Sequence, residues 1–293
     1  MKEFDLHYSE YLSIFEKYAD KYMQTLVTKP VVLGESMQYS FLNGGKRIRP
    51  VLVLACADVL GMEQSAVLPF ALALEMIHTY SLIHDDMPCM DNDDYRRGKP
   101  SNHKVFGEAN ALLAGDALLN EAYGICFNEC LKGENYVRAS ALLNECAGMK
   151  GMIVGQSADL AYTGSKEMLS EEDLAYVHKH KTGKLLLAAV CMPSVLQGNK
   201  EYLSFMEFGE RLGVLFQITD DILDVTGDFI MLGKSIGKDA EEDKLTYVKL
   251  YGLDGAKLRA DMCAQECHTV LERMDGDTAF LHNLIDYILR RSH

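Results

Sequence analysis

Only six prolines occur in the 293 residues, at positions 30, 50, 69, 88, 100 and 193. The stretches 101–192 and 194–293 therefore run without the residue most hostile to a helix interior. That distribution favours an all-α chain, and the hydrophobic pattern agrees with it. Residues 4–28 read as an amphipathic helix, with Tyr8, Tyr11, Leu12, Phe15 and Tyr18 at helical spacing. Residues 65–86 form a helix so apolar that deep burial is expected. After a loop at 87–106, a helix rich in Ala, Gly and Leu should approach its neighbours closely. Ser170 and Asp173 have the form of a capping box opening a helix through the 180s. A further apolar helix runs from about Tyr202 to Val225, with Gly227 as its C-cap. A Gly/Lys/Asp-rich loop at 228–246 precedes two amphipathic helices around 254–275 and 278–291. No repeat, low-complexity tract or linker interrupts this pattern, so one domain spanning 1–293 is expected. The helices should form a bundle.

Charge narrows the class. There are 43 acidic and 29 basic residues, a net of −14, which argues against nucleic acid and against an anionic membrane face. No apolar run approaches the ~20 residues that span a bilayer, and the acidic, amphipathic N-terminus is unlike a signal peptide. Eight scattered cysteines form no CxxC pair, which suits a reducing cytosol. Cys263 and Cys267 share a helix face and read as buried packing.

Two acidic clusters each end an apolar helix: Asp85, Asp86, Asp91, Asp93 and Asp94, then Asp220, Asp221, Asp224 and Asp228. A helix C-terminus is the wrong end for carboxylates, each disfavoured there by about 0.3–1 kcal/mol before mutual repulsion is added. Doing this twice points to a bound cation. Asp220 and Asp224 share a helix face. Asp85 and Asp91 do not, but Pro88 lies between them, and a local bulge could swing Asp91 back. Oxygen ligands from few carboxylates, with room for water and phosphate, suit Mg²⁺. A calcium loop is excluded because Arg96 stands where that loop needs glycine. A di-iron bundle needs two Glu-x-x-His motifs, and only Glu75 to His78 supplies one. Basic residues in glycine-flanked settings complement the acids: Lys46, Arg47 and Arg49, Arg96 and Arg97, Lys181 and Lys184, Lys234 and Lys238. Arg grips phosphate bidentately and Lys offers a mobile charge. Their number suits two polyanionic substrates.

These segments, FLNGGKRIRP, EMIHTYSLIHDDMPCMDNDDYRRGKP, HKTGKL and FQITDDILDVTGD with LGKSIGKD and DKLTY after it, resemble the trans-prenyltransferase (polyprenyl synthase) family over nearly the whole chain. The likeness is strongest to its bacterial farnesyl diphosphate synthases. The resemblance implies helices around a deep central cavity, a cytoplasmic homodimer, and Mg²⁺-dependent condensation of isopentenyl diphosphate with allylic diphosphates. It assigns Asp85, Asp86, Asp91, Asp220, Asp221 and Asp224 to the metal. It assigns Arg96, Lys181, Lys234 and Lys244 to the allylic diphosphate, and Lys46, Arg49, His78 and Arg97 to the isopentenyl diphosphate pocket. Thr182 and Gln217 match positions whose oxygens face the developing carbocation. It leaves the roles of His84, His103, Lys104, Lys184 and Lys238 open.

Product length should come from a steric floor. Tyr80 lies five residues before Asp85, about 7.5 Å along the helix axis. A bulky aromatic there resembles the pattern that stops at farnesyl, while Ser81 leaves room for the geranyl intermediate. Geranylgeranyl synthesis is the alternative. A terpene cyclase would lack the isopentenyl pocket, and a non-catalytic partner subunit would lack an aspartate motif.

Overall fold

The computed structural model describes residues 2–164, 170–198, 201–227 and 244–290. It is a helical assembly whose core runs from Phe4 to Ile288. In chain order the helices are α1 (Lys2–Met23), α2 (Val32–Phe41), α3 (Ile48–Val59), α4 (Gln64–Asp85), α5 (Asn102–Phe106), α6 (Glu108–Cys130), α7 (Glu134–Ala147), α8 (Met152–Tyr162), α9 (Glu171–His178), α10 (Lys184–Gln197), α11 (Tyr202–Thr226), α12 (Tyr247–Leu271) and α13 (Ala279–Arg290). Between α4 and α5 the loop holds a small hairpin, β1 (Tyr95–Arg96) and β2 (Lys99–Pro100), with Tyr95 opposite Pro100.

Helices α4 and α10 are apolar on nearly every side and sit at the centre, α4 against α3, α6 and α10. Each carries a proline, Pro69 and Pro193. By length and composition α4 could cross a bilayer, contrary to the sequence expectation, but other helices bury it. Leu72, Leu74, Met76 and Ile77 lose all solvent contact, each stabilising the fold by about 1.5–3 kcal/mol relative to exposure. An aromatic cluster closes the periphery: Phe4 lies 5.3 Å from Phe280 and 5.5 Å from Tyr287, joining α1 to α13.

Local signals behave as their chemistry demands. Ser170 and Asp173 form the reciprocal capping box, Asp173 N–H to Ser170 Oγ at 3.2 Å and Ser170 N–H to Asp173 Oδ2 at 2.8 Å. Gly227 caps α11 through a 2.8 Å bond from its N–H to the Leu223 carbonyl, with extended backbone. The first helix stops at Met23, short of the expected 28. At Gly252, with φ of 70°, the axis of α12 breaks, so the helix expected near 254 gains a preceding turn. The helix after the capping box is not uniform: α9 passes into a π-helical turn, Lys179–Gly183, before α10 begins.

Candidate active site

The two acidic clusters open on one cavity of about 930 Å³. Asp85 ends α4, and the chain then doubles back through turns at Met87 and Met90, so that Asp91 N–H donates to the Asp85 carbonyl at 2.8 Å. The anticipated bulge at Pro88 therefore brings two residues six apart to one rim. Burial raises the Asp85 carboxyl, and Asp91 and Asp86 add to this against Lys181 and Arg96, to about 6. Such crowding of carboxylates is what a divalent cation relieves.

Asp86 is placed differently from its neighbours. It does not line the main cavity but a small pocket behind it, where Arg96 Nε donates to Asp86 Oδ1 at 2.9 Å. Arg96 also reaches Asp93 Oδ2 at 3.2 Å. Burial would lower the Arg96 pKa, yet Asp86 and Asp93 raise it. The guanidinium thus braces the first acidic motif from within, a tie that spacing alone does not reveal.

On the same cavity, Asp220, Asp221 and Asp224 come from α11. Asp221 is oriented from two sides: Gln217 Nε2 donates to Oδ1 at 2.9 Å and Tyr247 N–H to Oδ2 at 2.8 Å. Buried His178 stands 3.9 Å from the same carboxylate, and its pKa falls to about 3, mainly through burial. Lys181, Thr182 and Lys244 complete this side. Lys234, Lys238 and Asp228 lie outside the described residues.

The π turn aims Lys181, and α8 holds it there. Lys181 Nζ donates to Asp159 Oδ2 at 2.6 Å. Burial opposes its charge, but Asp159 and then Asp85 hold its pKa above the ordinary lysine value. The approach of α8 requires glycine, since a Cβ at 155 would lie 2.1 Å from the Lys181 backbone nitrogen. The next residue, Gln156, lines the cavity with a buried Nε2 that no described residue accepts. Sequence reasoning missed Gly155, Gln156 and Asp159. Their signal was the polar Gln156 and Asp159, three apart in the apolar run MIVGQSADLAY.

The basic loop divides its labour. Arg47, at φ of 47°, turns inward to Glu16 (2.8 Å) and Glu75 (3.0 Å), with its face over Phe41. Lys46 stays at the rim, and its carbonyl accepts the Tyr8 hydroxyl. Arg49 lines the cavity, its Nε buried without a partner among the described residues. Arg97 donates to the Gly44 carbonyl at 2.6 Å. His78 faces these cations, and burial, then Arg49 and Arg97, push its pKa well below the usual histidine range. Beside it lie Tyr80, 6% exposed, and Ser81, whose hydroxyl donates to the His78 carbonyl at 2.9 Å. One cavity thus combines two acidic clusters, two groups of cations and apolar lining such as Leu185 and Phe216.

The sequence matches the Polyprenyl synthetase family over residues 30–280. This chain is a member of that family. The polyprenyl synthetase chain is 45% identical over 262 residues to farnesyl diphosphate synthase of Micrococcus luteus, covering 89% of each. It is 44% identical over 270 residues to geranylgeranyl pyrophosphate synthase 7 of Arabidopsis thaliana, covering 90% of this chain and 78% of that one. Its fold matches the geranyltransferase of Helicobacter pylori, solved with magnesium and isoprenyl diphosphate, at a TM-score of 0.85 and 33% identity. That likeness covers 97% of this polyprenyl synthetase and 95% of the other.

Proposed function

We propose that this polyprenyl synthetase condenses isopentenyl diphosphate with dimethylallyl and geranyl diphosphate to give farnesyl diphosphate. The observation that carries the reading is the single cavity lined by Asp85 and Asp91, by α11's aspartates, and by Lys181 and Tyr80.

Among the described residues no three His, Cys, Asp or Glu side chains already form a closed metal cage. The donor set fits Mg²⁺ nonetheless, because that ion takes one or two carboxylates and keeps water and substrate phosphates. Asp85 and Asp91 on one wall, with Asp220, Asp221 and Asp224 on the other, would hold it, while Asp86 supports the first wall through Arg96. Bound there, the ion's chemistry is to neutralise diphosphate as charge builds on the departing oxygen.

The chain's own groups do the rest. Lys181 and Lys244 bring positive charge to the allylic diphosphate. Lys46, Arg49, Arg97 and neutral His78 receive the second diphosphate. The allylic carbon–oxygen bond breaks, its electron pair leaving with diphosphate. Thr182 and Gln217 turn oxygens toward the resulting cation, Gln217 already giving its amide N–H to Asp221. The double bond of isopentenyl diphosphate attacks, a carbon–carbon bond forms, and the released diphosphate takes the proton from the adjacent carbon. No side-chain base is required. Apolar walls exclude water, which would trap the cation as an alcohol.

Tyr80 sets the floor, and Tyr80→Ala is expected to lengthen the product. Geranylgeranyl synthesis is the second reading, favoured by the comparable identity to the Arabidopsis enzyme. The core from Phe4 to Ile288 supports one domain, and exposed Leu112, Leu113 and Phe127 of α6 support a homodimer. Free cysteines fit a reducing, cytoplasmic setting. Mass analysis of products from geranyl diphosphate and labelled isopentenyl diphosphate tests the activity. Farnesyl diphosphate formed with Mg²⁺ and lost with chelator is expected. A geranylgeranyl product selects the alternative, and no condensation product overturns both.

A further inference from the structure

A floor that limits chain length must resist being pushed aside, and the backbone does not by itself hold the Tyr80 ring. One turn along α4, His84 falls on the same face. Its ring meets Tyr80 edge-on, with centroids 5.7 Å apart and planes at 77°. His84 is in turn anchored to another helix: its Nε2 lies 3.0 Å from the Leu112 carbonyl oxygen of α6 and 4.0 Å from the Asp116 carboxylate. With its proton on Nε2, the imidazole donates to that carbonyl, which fixes the ring plane as well as its position.

The seat exists because residue 115 is glycine. A Cβ there would lie 2.1 Å from His84 Nε2 and 2.5 Å from its Cδ2, where no ring could remain. His84, Tyr80 and Ser81 line the same cavity. None of this is needed to hold diphosphate, and nothing in the condensation uses the His84 ring.

We infer that His84, seated against Gly115 of α6, is a positioning residue for product length, fixing Tyr80 as the floor of the cavity. The inference rests on the reading of Tyr80 as that floor. An edge contact between rings contributes about 0.5–1.5 kcal/mol, so losing it should shift the ratio of longer product to farnesyl product by about two- to twelvefold. The ratio is internal to each reaction and is unaffected by a general loss of turnover.

The test compares product lengths by mass for the full-length protein and for Tyr80→Ala, His84→Ala and the double variant, from geranyl and labelled isopentenyl diphosphate. Tyr80→Ala should lengthen the product, His84→Ala should do so within that range, and the double variant should match Tyr80→Ala alone, because His84 acts through Tyr80. Should Tyr80→Ala leave the product unchanged, the floor reading fails and the inference with it. Should Tyr80→Ala lengthen it while His84→Ala keeps the wild-type ratio, or shifts it equally in both backgrounds, the role of His84 alone is overturned. If His84→Ala does not fold, Gly115→Ala unseats the ring from the α6 side. A lower melting temperature with a shifted ratio supports the inference, and a wild-type ratio overturns it.

Discussion

Adding one methyl group at position 155 isolates how the structure places its cavity lysine. In Gly155→Ala the new Cβ would lie 2.1 Å from the Lys181 nitrogen and 2.6 Å from its Cα, both backbone atoms that cannot rotate away. Ordinary contact begins at 3.4 Å, so α8 and the π turn must separate by about 1 Å. Overpacking of this kind costs about 1–3 kcal/mol of stability. The activity should suffer more, because a misplacement of about 1 Å in a catalytic constellation costs on the order of 100-fold. Asp159 moves with α8 as well, so the 2.6 Å bond from Lys181 Nζ to Asp159 is strained as the Lys181 backbone is displaced. Steady-state kinetics with geranyl diphosphate, alongside thermal melting, separates the two effects. The expected result is kcat/KM down by about 100-fold with a folded protein. A folded variant with kcat/KM within about threefold of wild type would refute the claim that this helix approach positions Lys181.

Other perturbations report on separate parts of the account. Asp85→Ala should cut turnover by about 100-fold or more in the product assay, with melting unchanged or raised because a crowded carboxylate is gone; turnover within tenfold would discard the metal assignment. Glu75→Ala strands buried Arg47 and should cost about 3–5 kcal/mol, read as a large drop in melting temperature; an unchanged melt would show that Glu16 alone suffices. For His178 the folded pKa of about 3 lies below the ordinary 6.5, so its neutral form is fully compatible with folding above pH 6.5. As pH falls from 6.5 toward 3 the unfolded state gains the proton first and stability is lost, by on the order of 1 kcal/mol at pH 5.5. Comparing melts at pH 7.5 and 5.5 checks this, since His178→Gln should lose less than wild type.

Proline placement and the apolar runs made the helical class and the central role of 65–86 legible, because both depend on local chemistry. The acidic clusters were legible for the same reason, as was the return of Asp91 past Pro88. What the chain concealed depends on partners distant in sequence. Arg47 and Arg49 look alike in KRIRP, yet one meets Glu16 and Glu75 while the other lines the cavity. Asp85 and Asp86 are adjacent, yet Arg96 takes the second. The π turn depends on α8 packing across it at Gly155, so no pattern within HKTGK announces it. Asp159 was passed over because a single acid in a short apolar helix resembles a solvated surface charge until Lys181 is seen beside it.

The central claim is that the ends of α4 and α11 face each other across a bound metal and diphosphate. A crystal structure with Mg²⁺ and an unreactive allylic thiodiphosphate examines it directly. The account predicts ion and diphosphate density bridging Asp85 and Asp91 to Asp220 and Asp224, with Lys181 turned from Asp159 to the diphosphate. Analogue bound elsewhere, or a bridging region filled only by water at saturating ligand, would contradict it.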